Sequence, residues 1–293
     1  MNLLSSITYK YKTANIVHKI IAINIIVFVL MHVAKTISFL MAVPETQFYN
    51  WFFVSKNLDS LLFKPWTLIS YSFFHSGLWH IFGNMLLLYY AGHYFLNYFT
   101  PKRFLNFYFM GAISGALVFA LSFNFFPQFS GSNPYLLGAS AAVTAVLVGI
   151  ATHTPNMSIR LILLGSIKFW HIAAILVLKD LVQIPAGNAG GHLAHLGGAA
   201  LGFVYARQLA KGHDIGKWFE NLMEGFFSIF RSKKNRPLKT VYKKKNTKRT
   251  PRTTSSKREH QKKIDAILDK ISKSGYESLT KTEKDFLFKA GKD

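Results

Sequence analysis

The chain contains no cysteine. That absence excludes disulfide staples, Cys-ligated zinc, iron–sulfur clusters and any thiol nucleophile, so the chemistry must come from hydroxyl, imidazole, amide or carboxylate groups. Acidic side chains are scarce too, 13 against 35 Lys plus Arg, for a formal net charge of +22. The imbalance is uneven: residues 1–210 hold 12 basic and 3 acidic residues, while 231–293 hold 21 and 7. Some stretches have no charge of either sign. None occurs from Pro65 to Pro101, from Phe104 to Ile159 or from Leu181 to Ala206, gaps of 37, 56 and 26 residues. What is abundant is apolar: 50% of the 293 residues are hydrophobic and 27 are Phe, which excludes a disordered chain.

A membrane span needs about 20 mostly apolar residues, each rising about 1.5 Å. The first gap therefore holds one helix and a loop, the second two helices, and the third one. The second gap breaks at Phe126–Tyr135, FPQFSGSNPY, where Pro, Gly and small polar residues stop a continuous helix. The expected spans are Leu78–Phe99, Phe104–Phe126, Leu136–Thr152 and Leu193–Leu209. Two weaker ones, Ile20–Ala34 and Phe169–Leu178, have flanking lysines able to snorkel to the interface. The fold class is thus an all-α membrane protein with six transmembrane helices and a short cytoplasmic helical tail.

Lys10, Lys12 and Lys19 precede span one, Lys102 and Arg103 lie between spans two and three, Arg160 and Lys168 between four and five, and Arg207 and Lys211 after six. The intervening loops hold fewer basic residues, which places both termini in the cytoplasm. The start, MNLLSSITYKYK, has no apolar run before Lys10, so no cleavable leader is expected and span one serves as the anchor.

In this topology spans two, four and six enter from the outer face, and each carries polar residues near its start. They are His75, His80 and Asn84 in HSGLWHIFGN, Ser140 in GAS, and His192 and His195 in GHLAHLGGAALG. A single Ser or His in a span is commonly interhelical glue, worth about 0.6 kcal/mol. Their convergence is what carries information, because polar groups inside a bilayer face a bundle interior or a water-filled cavity. His80 and Asn84 share one helical face. Ser140 begins a helix, where free amides and the positive dipole end stabilise a developing anion. Gly198 and Gly202 form a GxxxG face that lets helices approach closely. These parts supply an acyl-transfer constellation of a serine nucleophile, a histidine base and oxyanion donors. Asp180 is the only acid near the outer span ends and sits at the end of span five, outside any matching position, so a dyad is expected rather than a triad. His192 and His195 also form HxxH, but without a Glu-type base or a third ligand a zinc protease is not indicated.

At these residues the chain resembles the rhomboid family of intramembrane serine proteases, in its bacterial six-helix form with a C-terminal extension. The resemblance covers about residues 15–210 and rests on three ordered motifs. These are a PW loop followed by HxxxxHxxxN (Pro65, Trp66, His75, His80, Asn84), GxS (Gly138, Ser140) and AHxxG (Ala194, His195, Gly198). It implies that Ser140 is the nucleophile and His195 its base, with His80, Asn84 and the Ser140 backbone amide stabilising the oxyanion. Gly138, Gly198 and Gly202 are expected to serve close packing. The resemblance also implies cleavage of other membrane proteins within or beside their transmembrane helices, without cofactor or metal, in a bacterial inner membrane; the shared direction of the site-bearing spans puts the cut near the outer face. A non-catalytic scaffold or chaperone on the same fold is the alternative. Three positions depart from the family: Ala141 stands where Gly is usual, Trp66-Thr67 replaces Trp-Arg, and Thr144 replaces an aromatic residue found in some members.

The organisation expected along the chain is a membrane domain over 1–212, an interfacial amphipathic helix over 213–230, a basic disordered linker over 231–258 and a helical hairpin over 259–293. The amphipathic helix places Trp218, Leu222, Phe226 and Ile229 on one side, with Glu220 and Glu224 on another. Arg231–Arg258 has 13 Lys or Arg and no acid, and its expected partner is anionic lipid rather than nucleic acid. In the hairpin, Ser274-Gly275 ends one helix, and Thr280 with Glu283 forms a capping box for the next.

Overall fold

The computed structural model describes residues 3–44, 46–161, 165–230 and 254–291. The chain divides into two compact units, Met1–Ser232 and Lys233–Asp293. The expected linker is outside the described residues as far as position 253.

In the first unit α1 (Leu3–Thr13) leads into α2 (Ile16–Leu40), capped by the Asn15 side chain. A long loop follows with α3 (Thr46–Phe52), β1 (Val54–Ser55), α4 (Leu58–Phe63) and α5 (Thr67–Ser70). Next come α6 (Leu78–Leu96), α7 (Pro101–Phe125), β2 (Tyr135–Leu136) and α8 (Ser140–His153). A hairpin of β3 (Ser158–Leu161) and β4 (Gly165–Lys168) precedes α9 (Phe169–Gln183), α10 (Ala189–Ala210) and α11 (Lys217–Phe230). Among the described helices, α2, α7 and α9 with its short extension to Ala186 are long and apolar enough to cross a membrane. Their outward residues, such as Leu30 and Ile37 on α2 or Ile175 and Leu178 on α9, are exposed apolar groups whose natural solvent is lipid.

α8 sits at the centre, packed on α6, α7, α9 and α10, and every residue from Ala141 to Ala151 is buried. Its 14 residues extend only about 21 Å at 1.5 Å per residue, short of the roughly 30 Å hydrocarbon core. The expected start at Leu136 is corrected by this geometry. Tyr135 and Leu136 instead pair with Ser55 and Val54 in an antiparallel ladder, and the helix begins at Ser140, recessed within the bundle.

Small residues make the central packing close. A methyl group on Gly198 would collide with the Ala141 carbonyl, and one on Gly202 with the Ala145 carbonyl. From the other side, Gly111 and Gly115 of α7 lie against the side chains of Ala145 and Ala141. The methyl of Ala141 is accommodated because Gly115 has none.

The first loop is anchored without arginine. Trp66 Nε1 donates to the Trp51 carbonyl at 2.8 Å, the two indoles stack with centroids 6.1 Å apart, and Ser70 Oγ donates to the Phe52 carbonyl at 2.8 Å. At the other end of the bundle, Asp214 accepts from Tyr205 Oη at 2.7 Å, from Arg103 Nε at 3.2 Å and from the Gly216 amide at 3.1 Å. Burial pushes the Asp214 carboxyl pKa up, but the hydrogen bonds from Tyr205, Arg103 and Gly216 hold it below the usual value. Lys102 reaches Glu220 and Glu224 at 2.6 and 2.8 Å, so the polar side of α11 is tied to the start of α7 while Trp218, Leu222 and Phe226 stay exposed.

The second unit contains α12 (Thr254–Ser274) and α13 (Lys281–Ala290), so helix starts four residues before the expected linker ends. Gly275, at φ +75°, ends α12. The Thr280–Glu283 capping box is formed, and Lys270 pairs with Glu283 at 2.9 Å.

Candidate active site

Ser140 is placed by the turn that starts α8. Gly138 adopts φ +124°, a backbone region open to glycine, and its amide donates to the Tyr71 carbonyl at 3.1 Å. Tyr71 Oη donates in turn to the Ala112 carbonyl of α7 at 2.7 Å, so the turn is tied to the bundle interior. A Cβ on Gly138 would lie 2.8 Å from His80 Nε2 and 3.5 Å from Ser140 Oγ, which sets the imidazole and the hydroxyl on either side of this glycine.

His80 accepts from the Ser76 amide through Nδ1 at 3.3 Å, with Ser76 Oγ at 3.0 Å. A backbone N–H can only donate, so the neutral ring carries its proton on Nε2, the nitrogen facing Gly138. Asn84, one turn on, donates one Nδ2 hydrogen to the His80 carbonyl at 2.9 Å and keeps a second. His75 is buried behind, with ring centroids 5.0 Å apart, and belongs to the support of His80.

α9 and α10 are joined by a tight reversal through Gly187 (φ +122°) and Asn188 (φ +49°), which brings the end of one helix against the start of the next. On α9 the buried residues are Phe169, Ala173 and Asp180, a single face. Asp180 Oδ1 lies 2.9 Å from His192 Nδ1 and 3.0 Å from His195 Nδ1. An acid therefore lies within reach of His195, where none was expected in a matching position. Span five was expected over Phe169–Leu178 with Asp180 at its end; the helix continues to Gln183, and seven residues beyond Ala173 the carboxylate points inward. With Nδ1 of His195 facing a carboxylate, its proton resides there and Nε2 is the free, basic nitrogen.

Ser140, His195, His80, Asn84, His192 and Asp180 all line one cavity of about 1510 Å³. Gln128 and Pro134, from the loop after α7, form part of its wall, and Thr144 lines it one turn below Ser140. No hydrogen bond joins Ser140 to His195 among the described residues. Such bonds are often long in a free enzyme and tighten with substrate.

An all-α membrane bundle whose short central helix opens on a serine, beside imidazoles from two neighbours, defines the class. The Rhomboid domain model matches residues 62–212, more than half of the chain, and the chain belongs to the rhomboid family. A family of unknown function matches residues 251–289. Among curated proteins the chain is similar to "RHOMBOID-like protein 12, mitochondrial" of Arabidopsis thaliana, 30% identical over 158 residues, 50% of this chain and 47% of that protein. It is also similar to "Presenilin-associated rhomboid-like protein, mitochondrial" of Homo sapiens, 26% identical over 199 residues, 67% of this chain and 48% of the relative. A third is "Presenilin-associated rhomboid-like protein A, mitochondrial" of Danio rerio, 29% identical over 180 residues, 59% and 44%. The chain spans about half the length of the curated relatives it matches. Their names overturn the bacterial inner membrane as a location, which rested on the resemblance alone; that assignment is withdrawn.

Proposed function

We propose that the protein is an intramembrane serine endopeptidase that cleaves transmembrane segments of other membrane proteins. One observation carries this reading: Ser140 at a helix start, His195 with a carboxylate behind it, and the donors His80 and Asn84 share one recessed cavity. Its volume of about 1510 Å³ exceeds the roughly 300–1,000 Å³ of small-molecule pockets and suits a stretch of polypeptide.

His195 Nε2 takes the proton of Ser140 Oγ as the oxygen attacks the scissile carbonyl, and Asp180 holds the ring in the tautomer that leaves Nε2 free. The Ser140 amide, His80 Nε2–H and Asn84 Nδ2–H face the developing oxyanion. The imidazolium then protonates the departing amine, and water hydrolyses the acyl-serine with His195 again as base. Since the site-bearing starts of α6, α8 and α10 lie at the face opposite the start of α2, which packs against the end of α6, the scissile bond lies in the half of the substrate helix nearest that site-bearing face. A helix hides its carbonyls in internal bonds, so favoured substrates carry Gly, Ala, Ser or Pro there and unwind at low cost. Lipid is the second partner: the exposed side of α11 meets the interface, and the basic run from Arg231 attracts anionic headgroups.

The test uses the full chain in liposomes with a transmembrane reporter. Wild type should cut it, and Ser140→Ala and His195→Ala should not. Cutting by either variant, or none by wild type, would remove the assignment.

A further inference from the structure

Two imidazole nitrogens converging on one carboxylate oxygen are more than positioning requires, since one contact would orient His195. One ligand atom from each of Asp180, His192 and His195 lies within 4.8 Å of the other two, a donor set of two nitrogens and one oxygen. This is the third ligand-type group that HxxH lacks in the sequence alone. All three are held on packed helices, His192 and His195 one turn apart on α10 and Asp180 on α9. The two oxygen–nitrogen separations of 2.9 and 3.0 Å need to open by only a few tenths of an ångström to match neighbouring ligands on an ion with bonds of about 2.0–2.1 Å. The adjoining cavity offers a fourth position to water. Nitrogen donors favour zinc and its neighbours over Mg²⁺ or Ca²⁺.

We propose that Asp180, His192 and His195 form an inhibitory binding site for Zn²⁺ or a similar transition cation. Binding replaces the Nδ1 protons of both histidines. Each neutral ring loses the Nδ1 proton to water and gains one at Nε2, so no net proton is released. His195 then presents an N–H to Ser140 in place of a lone pair and cannot accept the serine proton. Metal here blocks hydrolysis. One group opposes the ion: Lys179 Nζ lies 3.7 Å from Asp180 Oδ1, on a half-exposed side chain able to turn away.

The inhibitory consequence rests on His195 being the base; the binding does not, and the experiment separates the two. Full-length protein, stripped with chelator, is titrated with Co²⁺ as a visible reporter of tetrahedral nitrogen ligation, then with Zn²⁺. Wild type and Ser140→Ala should each take up one equivalent, displaced by Zn²⁺. His192→Gln should weaken uptake by roughly 100-fold or more, since even lost support of a ligand costs 10–100-fold. Lys179→Gln should tighten it, an opposite shift that a folding defect would not produce. In the reporter assay, stoichiometric Zn²⁺ should stop wild type, reversibly with chelator, and should not lower His192→Gln below whatever rate that variant shows without metal. Equal uptake by wild type and His192→Gln, or no uptake by wild type, overturns the site. Uptake by Ser140→Ala in a protein whose wild type never cuts the reporter would leave the site standing and sink only the protease reading.

Discussion

Asp180 Oδ1 stands 3.0 Å from Nδ1 of His195, across the contact between α9 and α10. A carboxylate this deeply buried is costly unless paired, and both of its short contacts are imidazoles of the candidate site. The arrangement specifies a tautomer. Replacing Asp180 by Asn removes the charge but keeps the shape, and should lower kcat by roughly 10²–10⁴-fold with little change in KM, the pattern of a lost transition-state interaction. Reporter kinetics with graded substrate check this; an unchanged kcat would remove Asp180 from the mechanism.

Close helix contact at α8 has its own signature. Gly198→Ala drives a methyl into the Ala141 carbonyl and should cost about 1–3 kcal/mol, seen as a lower unfolding midpoint in detergent. Gly83→Ala, with no atom within 4 Å of the added carbon, should leave the midpoint unchanged or raised. Equal effects would contradict the packing assigned to Gly198.

Substrate choice follows from backbone access to Ser140. Paired reporters, one with a Gly-Ala break in the transmembrane half nearest the Ser140-bearing face and one uniformly Leu-rich, should differ at least tenfold in cleavage rate. That corresponds to about 1.4 kcal/mol, the cost of one or two helix-breaking differences. Mapping the product terminus should place the cut in that half.

The hairpin of the second unit carries a pH-dependent element. The Glu283 carboxyl, held by the Thr280 amide, Lys270 and the Thr280 hydroxyl, is pulled down from 4.5 to about 2. A lowered carboxylate pKa stabilises the folded state above the unfolded value, and that contribution is lost as pH falls from about 4.5 through 2. Hydrogen exchange in the full chain should show α13 amides opening over that window, and Glu283→Gln should abolish the dependence. Thr280→Ala should open α13 at neutral pH by about 1 kcal/mol.

Charge-free runs and helix punctuation made α2, α6, α7, α9 and α10 legible as apolar helices, because bilayer length and the need to satisfy every backbone group leave few alternatives. The motif residues around Ser140 were legible for the same reason: intramembrane polar groups must face inward. What escaped was set by tertiary pairing. Leu136 read as the start of a helix until Val54, some 80 residues earlier, claims it as a strand residue. Asp180 read as an end residue because Lys179 masked the continuation of α9; its spacing from Ala173 was the available signal. The contact that anchors Trp66 was not legible because Trp51, its stacking partner, lies on a separate short helix.

The central claim is that Ser140 is an activated nucleophile, and covalent labelling tests it most directly. A fluorophosphonate probe reacts with a serine whose proton is removed by a neighbouring base. With the folded full-length chain, mass spectrometry should find the adduct on Ser140, lost in His195→Ala and reduced in Asp180→Asn. A folded wild-type protein left unlabelled, or labelled equally in His195→Ala, would contradict it.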